Sequence, residues 1–149
     1  MSSLLRQDLW PEDLLAPYAT VMVTPAIVLR EQAAILGKKT NNLVEAEVVQ
    51  AKASLRGIWA YNFLIIAPTL DYEYKLFTCT YNLNLYPVSL DVGKEMKDEI
   101  DPEYGYLEGK ILVQSEEEFI KQLKNIFRAS ITKKIIGTLL AMCQEGGNL

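Results

Sequence analysis

The chain is 149 residues long, half of them hydrophobic and 23 % charged, with a formal net charge of −4 and no histidine. That length fits one domain able to bury its own core, and that balance of apolar and charged residues is not the composition of a disordered chain. The excess of carboxylates disfavours nucleic acid and anionic membrane surfaces, while the lack of imidazole removes both the usual acid–base group near neutral pH and the commonest metal ligand.

The first 23 residues are interrupted by Pro11 and Pro17, yet Leu4, Leu5, Leu9, Trp10, Leu14 and Leu15 make them apolar. They are expected to form a short helical arm packed on the body. No basic stretch followed by an apolar one opens the chain, and no apolar run approaches the ~20 residues that cross a bilayer, so a cytoplasmic protein with no membrane contact is expected. Thr24-Pro25 is a good helix start, since threonine caps and proline at the first helical position loses no needed N–H. The helix should run to Lys39, with Val28, Leu29, Ala33, Ile35 and Leu36 on one broad side.

Residues 44–48 alternate as a half-buried strand does. Residues 58–67 are apolar on both faces, which predicts a central strand covered on both sides. Residues 72–82 are rich in aromatic and β-branched side chains and form a third strand, and 86–92 a fourth. The connections are short, so neighbours should pair antiparallel. An acidic connector over 93–109 leads to a fifth strand at 110–114. Ser115 and Glu118 then form a capping box before the apolar stripe of Phe119, Ile120, Leu123, Ile126 and Phe127. Ser130 can cap a last helix, which Gly146-Gly147 ends. The order predicts a single α+β domain over residues 1–149: an N-terminal helix, an antiparallel sheet of about five strands and two C-terminal helices packed on the sheet. Cys79 and Cys143 lie in apolar stretches and read as buried free thiols.

Four constellations could carry function. In the acidic connector, Asp98, Glu99, Asp101 and Glu103 stand beside Tyr104 and Tyr106. Clustered carboxylates steer a basic partner in, and tyrosines offer contact area at low entropic cost, so these six residues form the expected contact with a basic protein surface. Lys121, Lys124, Arg128, Lys133 and Lys134 form a basic stripe whose plain reading is a solvated helix face. Glu45 and Glu47 share one strand face, where paired carboxylates could serve acid–base chemistry or simply meet solvent. Finally, Trp59, Tyr61, Phe63, Tyr72, Tyr74, Phe77 and Tyr81 crowd two strands. They read first as core. If the helices cover one face only, a homodimer through an open aromatic face is the natural cover, and a ligand pocket is the third reading.

No phosphate-binding glycine loop, nucleophile elbow or paired-cysteine motif is present. The expectation is therefore a non-catalytic cytosolic protein-binding domain, of inhibitor, immunity or chaperone kind, with no cofactor and no metal. The alternative is a small enzyme or ligand-binding protein that works without histidine, using carboxylates such as Glu45 and Glu47 with tyrosines of the sheet.

Overall fold

A computed structural model describes residues 7–15, 22–52, 55–101 and 109–147. Helix α1 spans Pro25–Lys39, and the Thr24 hydroxyl accepts the Ile27 N–H at 3.3 Å, so the helix begins where its threonine–proline start requires. At the far end the Thr40 hydroxyl lies 3.1 Å from the Leu36 carbonyl and accepts the Val44 N–H at 3.2 Å. Asn41 and Asn42 take positive φ between them, a conformation asparagine tolerates better than most residues.

Five strands follow: β1 (Glu45–Ala51), β2 (Ile58–Ala67), β3 (Tyr72–Asn82), β4 (Val88–Asp91) and β5 (Lys110–Val113). They lie side by side in chain order, every neighbour antiparallel. Register then decides the faces. Tyr61 pairs with Cys79 and Phe63 with Phe77; past an irregularity at Phe63/Leu64, Ile65 pairs with Tyr74 and Ala67 with Tyr72. Phe63, Ile65, Ala67, Phe77, Cys79, Tyr81, Leu90 and Val113 are all buried on this one face.

The two remaining long helices, α3 (Glu116–Phe127) and α4 (Ser130–Gly147), close over the same face. Phe63 and Phe77 stack at 5.2 Å, and Phe127 of α3 stands 5.3 Å from the Phe63 ring. The opposite face carries Asn62, Leu64 and Ile66, which stay half-buried. Strand β2 is therefore covered on one side, not two. All three long helices fall on one side, and no described helix lies over the other.

The acidic connector also differs from a plain loop. It opens with a helix, α2 (Lys94–Ile100), and its two ends are pinned together. The Val92 N–H donates to the Gly109 carbonyl at 2.8 Å, and a Cβ on Gly109 would come within 2.6 Å of the Gly93 backbone. Both glycines have positive φ. Met96 and Lys97 turn inward from α2, the lysine only 1 % exposed. Ser130 is the first residue of α4, and its N–H donates to the Glu99 carboxylate at 2.8 Å; α2 thus caps α4 from outside. At α3 the capping box holds: Ser115 accepts the Glu118 N–H at 3.2 Å, while the Glu118 carboxylate takes the Gln114 N–H at 2.8 Å.

The expected arm lies partly outside the described residues. Its described part, residues 7–15, forms bends and turns with no helix, and its large apolar side chains are exposed.

Phe63 joins sheet to helices. Phe63→Ala should cost about 3–5 kcal/mol, the usual loss for truncating a buried aromatic, read as a lower urea midpoint with unchanged m-value. Phe63→Leu should recover more than half of that loss.

Candidate functional site

The six residues expected to meet a partner separate on the structure. Asp98 and Glu99 are exposed on α2, and Asp101 caps its end, half-exposed, with its N–H on the Lys97 carbonyl at 2.8 Å. Glu103, Tyr104 and Tyr106 lie outside the described residues. Glu99 is already committed to the α4 terminus. Glu95, which the acid-plus-tyrosine pattern passed over, is exposed on the same helix. With Lys97 turned inward, the outer surface of α2 shows Glu95, Asp98 and Glu99 against Lys94 alone. It is more negative than its sequence suggests.

Glu45 and Glu47 sit across from Ile66 and Leu64, on the half-open face of the sheet. The tyrosines point the other way, toward the helices. Carboxylates and tyrosines therefore do not converge, and the aromatic face is the covered one. Two hollows mark where the aromatics meet the helices. A groove of about 530 Å³ beside α4 is lined by Leu70, Tyr72, Tyr74, Lys134, Leu139 and Met142, among others, with no carboxylate in its wall. At the other end, a hollow of about 260 Å³ holds Trp59, Tyr61, Tyr81 and Arg30, whose guanidinium lies 5.5 Å over the Tyr61 ring.

A third feature is a trough between α1 and the α3–α4 pair. Helix α1 leans on β1, whereas α3 leans on β5 and α2, so no extended α1–α3 seam closes the layer. The gap consists of two adjoining hollows of about 270 and 330 Å³ that share Gln32, Lys39, Phe127 and Arg128. Its floor is Phe63 and Ile65. The charged side chains in its wall are Lys39, Lys124 and Arg128, all cations. Sequence reading placed Lys124 and Arg128 on a solvated stripe and missed Lys39. The available cue was that Ile35 and Lys39 stand i, i+4 on α1 and so share one face. The same stripe splits in the structure, with Lys134 in the groove beside α4 and Lys121 and Lys133 exposed.

Buried titratable groups cluster on the covered face. Desolvation raises the Cys79 thiol from 9.0 to about 12. Tyr81 and Tyr86 rise from 10.0 to about 12, again first through desolvation; the Tyr61 hydroxyl adds to the shift at Tyr81, and the Glu116 charge at Tyr86. Among the described residues the buried Tyr86 hydroxyl has no hydrogen-bond partner, and its ring stands edge-on to Phe119 at 6.3 Å. Cys143 is buried too, its sulfur 3.4 Å from the Thr69 hydroxyl. Both thiols are free and shielded, a structural use of cysteine. Among the described residues no group of three or more acidic or cysteine side chains could hold a metal ion, and no helix is long and apolar enough to cross a membrane. Compared with known proteins, the chain matches no family model, no curated protein and no solved structure.

All three raised groups are neutral acids that the unfolded chain ionises first. Below about pH 9 they leave stability untouched; from about pH 9 to about 12 the unfolded state holds fewer protons than the folded one, so stability must fall as pH rises. Urea midpoints should hold between pH 8 and 9 and decline at pH 10 and 11, and Cys79→Ala should delay the onset by about one pH unit, from the thiol's range to the phenols'. Tyr86→Phe removes an unsatisfied buried hydroxyl and should be neutral or stabilising by up to about 1 kcal/mol at pH 7.

Proposed function

We propose that the chain is a non-catalytic protein-binding domain of inhibitor, immunity or chaperone kind, working in the cytoplasm, and that α2 with the segment after it addresses a basic surface on its partner. The observation that carries this reading is the inward turn of Lys97. It leaves Glu95 and Asp98 exposed on a helix held from two sides, by the Gly93–Gly109 contact and by the Glu99–Ser130 bond. A pre-positioned acidic surface loses little entropy on docking, and clustered charge raises the rate of encounter with a basic partner. Glu99 then has two duties, and its loss would loosen α4 as well as any contact. Asp98, Asp101, Glu103, Tyr104 and Tyr106 are the residues to vary for binding alone.

A second reading is favoured by the groove beside α4. At about 530 Å³, with an apolar wall, two tyrosines and Lys134 at its edge, it suits a small apolar ligand bearing an acid group. It does so without Glu45 and Glu47, which face the other way.

Native co-purification from a lysate of the source cells separates the two. Under the first reading a protein partner elutes with the chain, leaves as salt rises from roughly 0.1 to 0.5 M, and is lost when Asp98, Asp101, Glu103, Tyr104 and Tyr106 become Ala or Ser together. Recovery of the same partner by that variant, or of no partner, counts against it. A bound small molecule in the native mass, lost on Tyr74→Ala with Lys134→Ala, would favour the second.

A further inference from the structure

The trough and the N-terminal arm are complementary, and in this structure they are apart. Along the trough, Ile35 is 42 % and Ile120 is 51 % exposed, beside Lys39, Lys124 and Arg128. Large aliphatic side chains bordering an open apolar channel want a cover. In the arm, Leu9 is 85 %, Trp10 73 % and Leu15 80 % exposed. The charges within residues 7–15 are Asp8, Glu12 and Asp13, three carboxylates and no cation. One surface is apolar and cationic; the other is apolar and anionic; both belong to one chain whose net charge would not lead one to expect a cationic channel.

We propose that a second copy of this chain seats its residues 8–15 in the trough, and that the exchange is mutual. The arm's large apolar side chains are exposed and no residue of 7–15 lines either hollow, so the trough can take an arm from a second copy. The fit in length is adequate. Between Val28 and Lys39 the wall of α1 rises about 16 Å, and eight residues reach up to ~28 Å when extended, leaving slack for the turns around Pro11. Mutual exchange is isologous: arm meets trough twice about a two-fold axis, the assembly closes at two copies, and no unsatisfied arm or trough is left to propagate. In the complex Trp10, the largest exposed apolar side chain of the arm, has the exposed Ile35 and Ile120 side chains to cover, while Asp8, Glu12 and Asp13 meet the cationic rim. This inference does not rest on the acidic surface of α2.

Sedimentation of the full chain over a range of concentrations tests it, with two variants. In the arm variant Trp10, Leu14 and Leu15 become Ser; all three are exposed, so the fold should be untouched, which circular dichroism checks. In the trough variant Lys39, Lys124 and Arg128 become Glu. The wild-type chain should be dimeric. Each variant should be monomeric or dissociate at roughly tenfold or more higher concentration, the arm variant through lost apolar burial and the trough variant through rim pairs reversed at both contacts. Mixing the two variants should give a heterodimer held by one of the two arm–trough contacts, weaker than the wild type but tighter than either variant alone, because one carries an intact trough and the other an intact arm. A monomeric wild-type chain overturns the proposal, whether Trp10 fluorescence then reports an exposed indole or one folded back onto its own trough. So does a dimer that both variants preserve, which would place the contact elsewhere, such as the half-open sheet face, and so does a mixture that associates no more tightly than either variant alone.

Discussion

The stacked pair Phe63–Phe77 under Phe127 is the contact on which the architecture turns. A five-strand antiparallel meander has two faces and no intrinsic preference between them. Here the choice is made by alternation on β2 and β3, which sends every large aromatic to one side. The irregularity at Phe63/Leu64 places consecutive Leu76 and Phe77 in the core and deepens that side where α3 arrives. Once the helices have chosen the aromatic face, the other follows: glutamates at the edge strand and half-buried aliphatics in the centre, as expected of a sheet with one solvated side. Glu45 and Glu47 then stand on the opposite face from the tyrosines of β2 and β3, with the sheet between them.

The same one-sided layering produces the hollows. Three helices laid on a twisted sheet cover it completely only if they also pack on one another. Helix α1 enters at the β1 edge, α3 at the β5 edge, and α4 crosses toward the β2–β3 turn, where Cys143 meets Thr69. The helices thus diverge, and Gln32 and Ile35 of α1 never close on Leu123 and Phe127 of α3. The small connector helix α2 joins this layer through the Glu99–Ser130 bond, which supplies an acceptor to the exposed first turn of α4. A carboxylate 31 residues earlier in the chain thereby sets how the last helix begins.

Much of this was legible in the residues. The caps at Thr24 and Ser115, the alternation of residues 44–48 and the aromatic strand at 72–82 are local signals, and each element formed where its signal lay. What was misread involved distance. Leu64 and Ile66 look like buried core in sequence, because half-burial on an open face and full burial between layers select the same aliphatic residues. Helix α2 hid inside a run of acids; its cue was Met96 with Ile100, one turn apart, too short a period to outweigh the charges around it. Ser130 was expected to cap α4 with its own hydroxyl, and it instead gives its N–H to Glu99. The trough left only the pairing of Ile35 with Lys39 on α1 as a local trace, since its walls come from α1 and from the α3–α4 pair, which lie on either side of the sheet in sequence.

Charge shows the consequence most clearly. A net of −4 suggests a uniformly acidic surface, but folding sorts the charges. Glu95 and Asp98 stay on the outside of α2, Lys97 is withdrawn from that surface, and Lys39, Lys124 and Arg128 gather around an apolar channel. The field beyond a Debye length of roughly 8–10 Å is set by the net charge, whereas docking within it is set by the local patch. Under the proposals above, α2 would meet a basic partner while the trough takes a carboxylate-bearing segment. The two surfaces carry opposite charge, negative on the outside of α2 and positive around the trough.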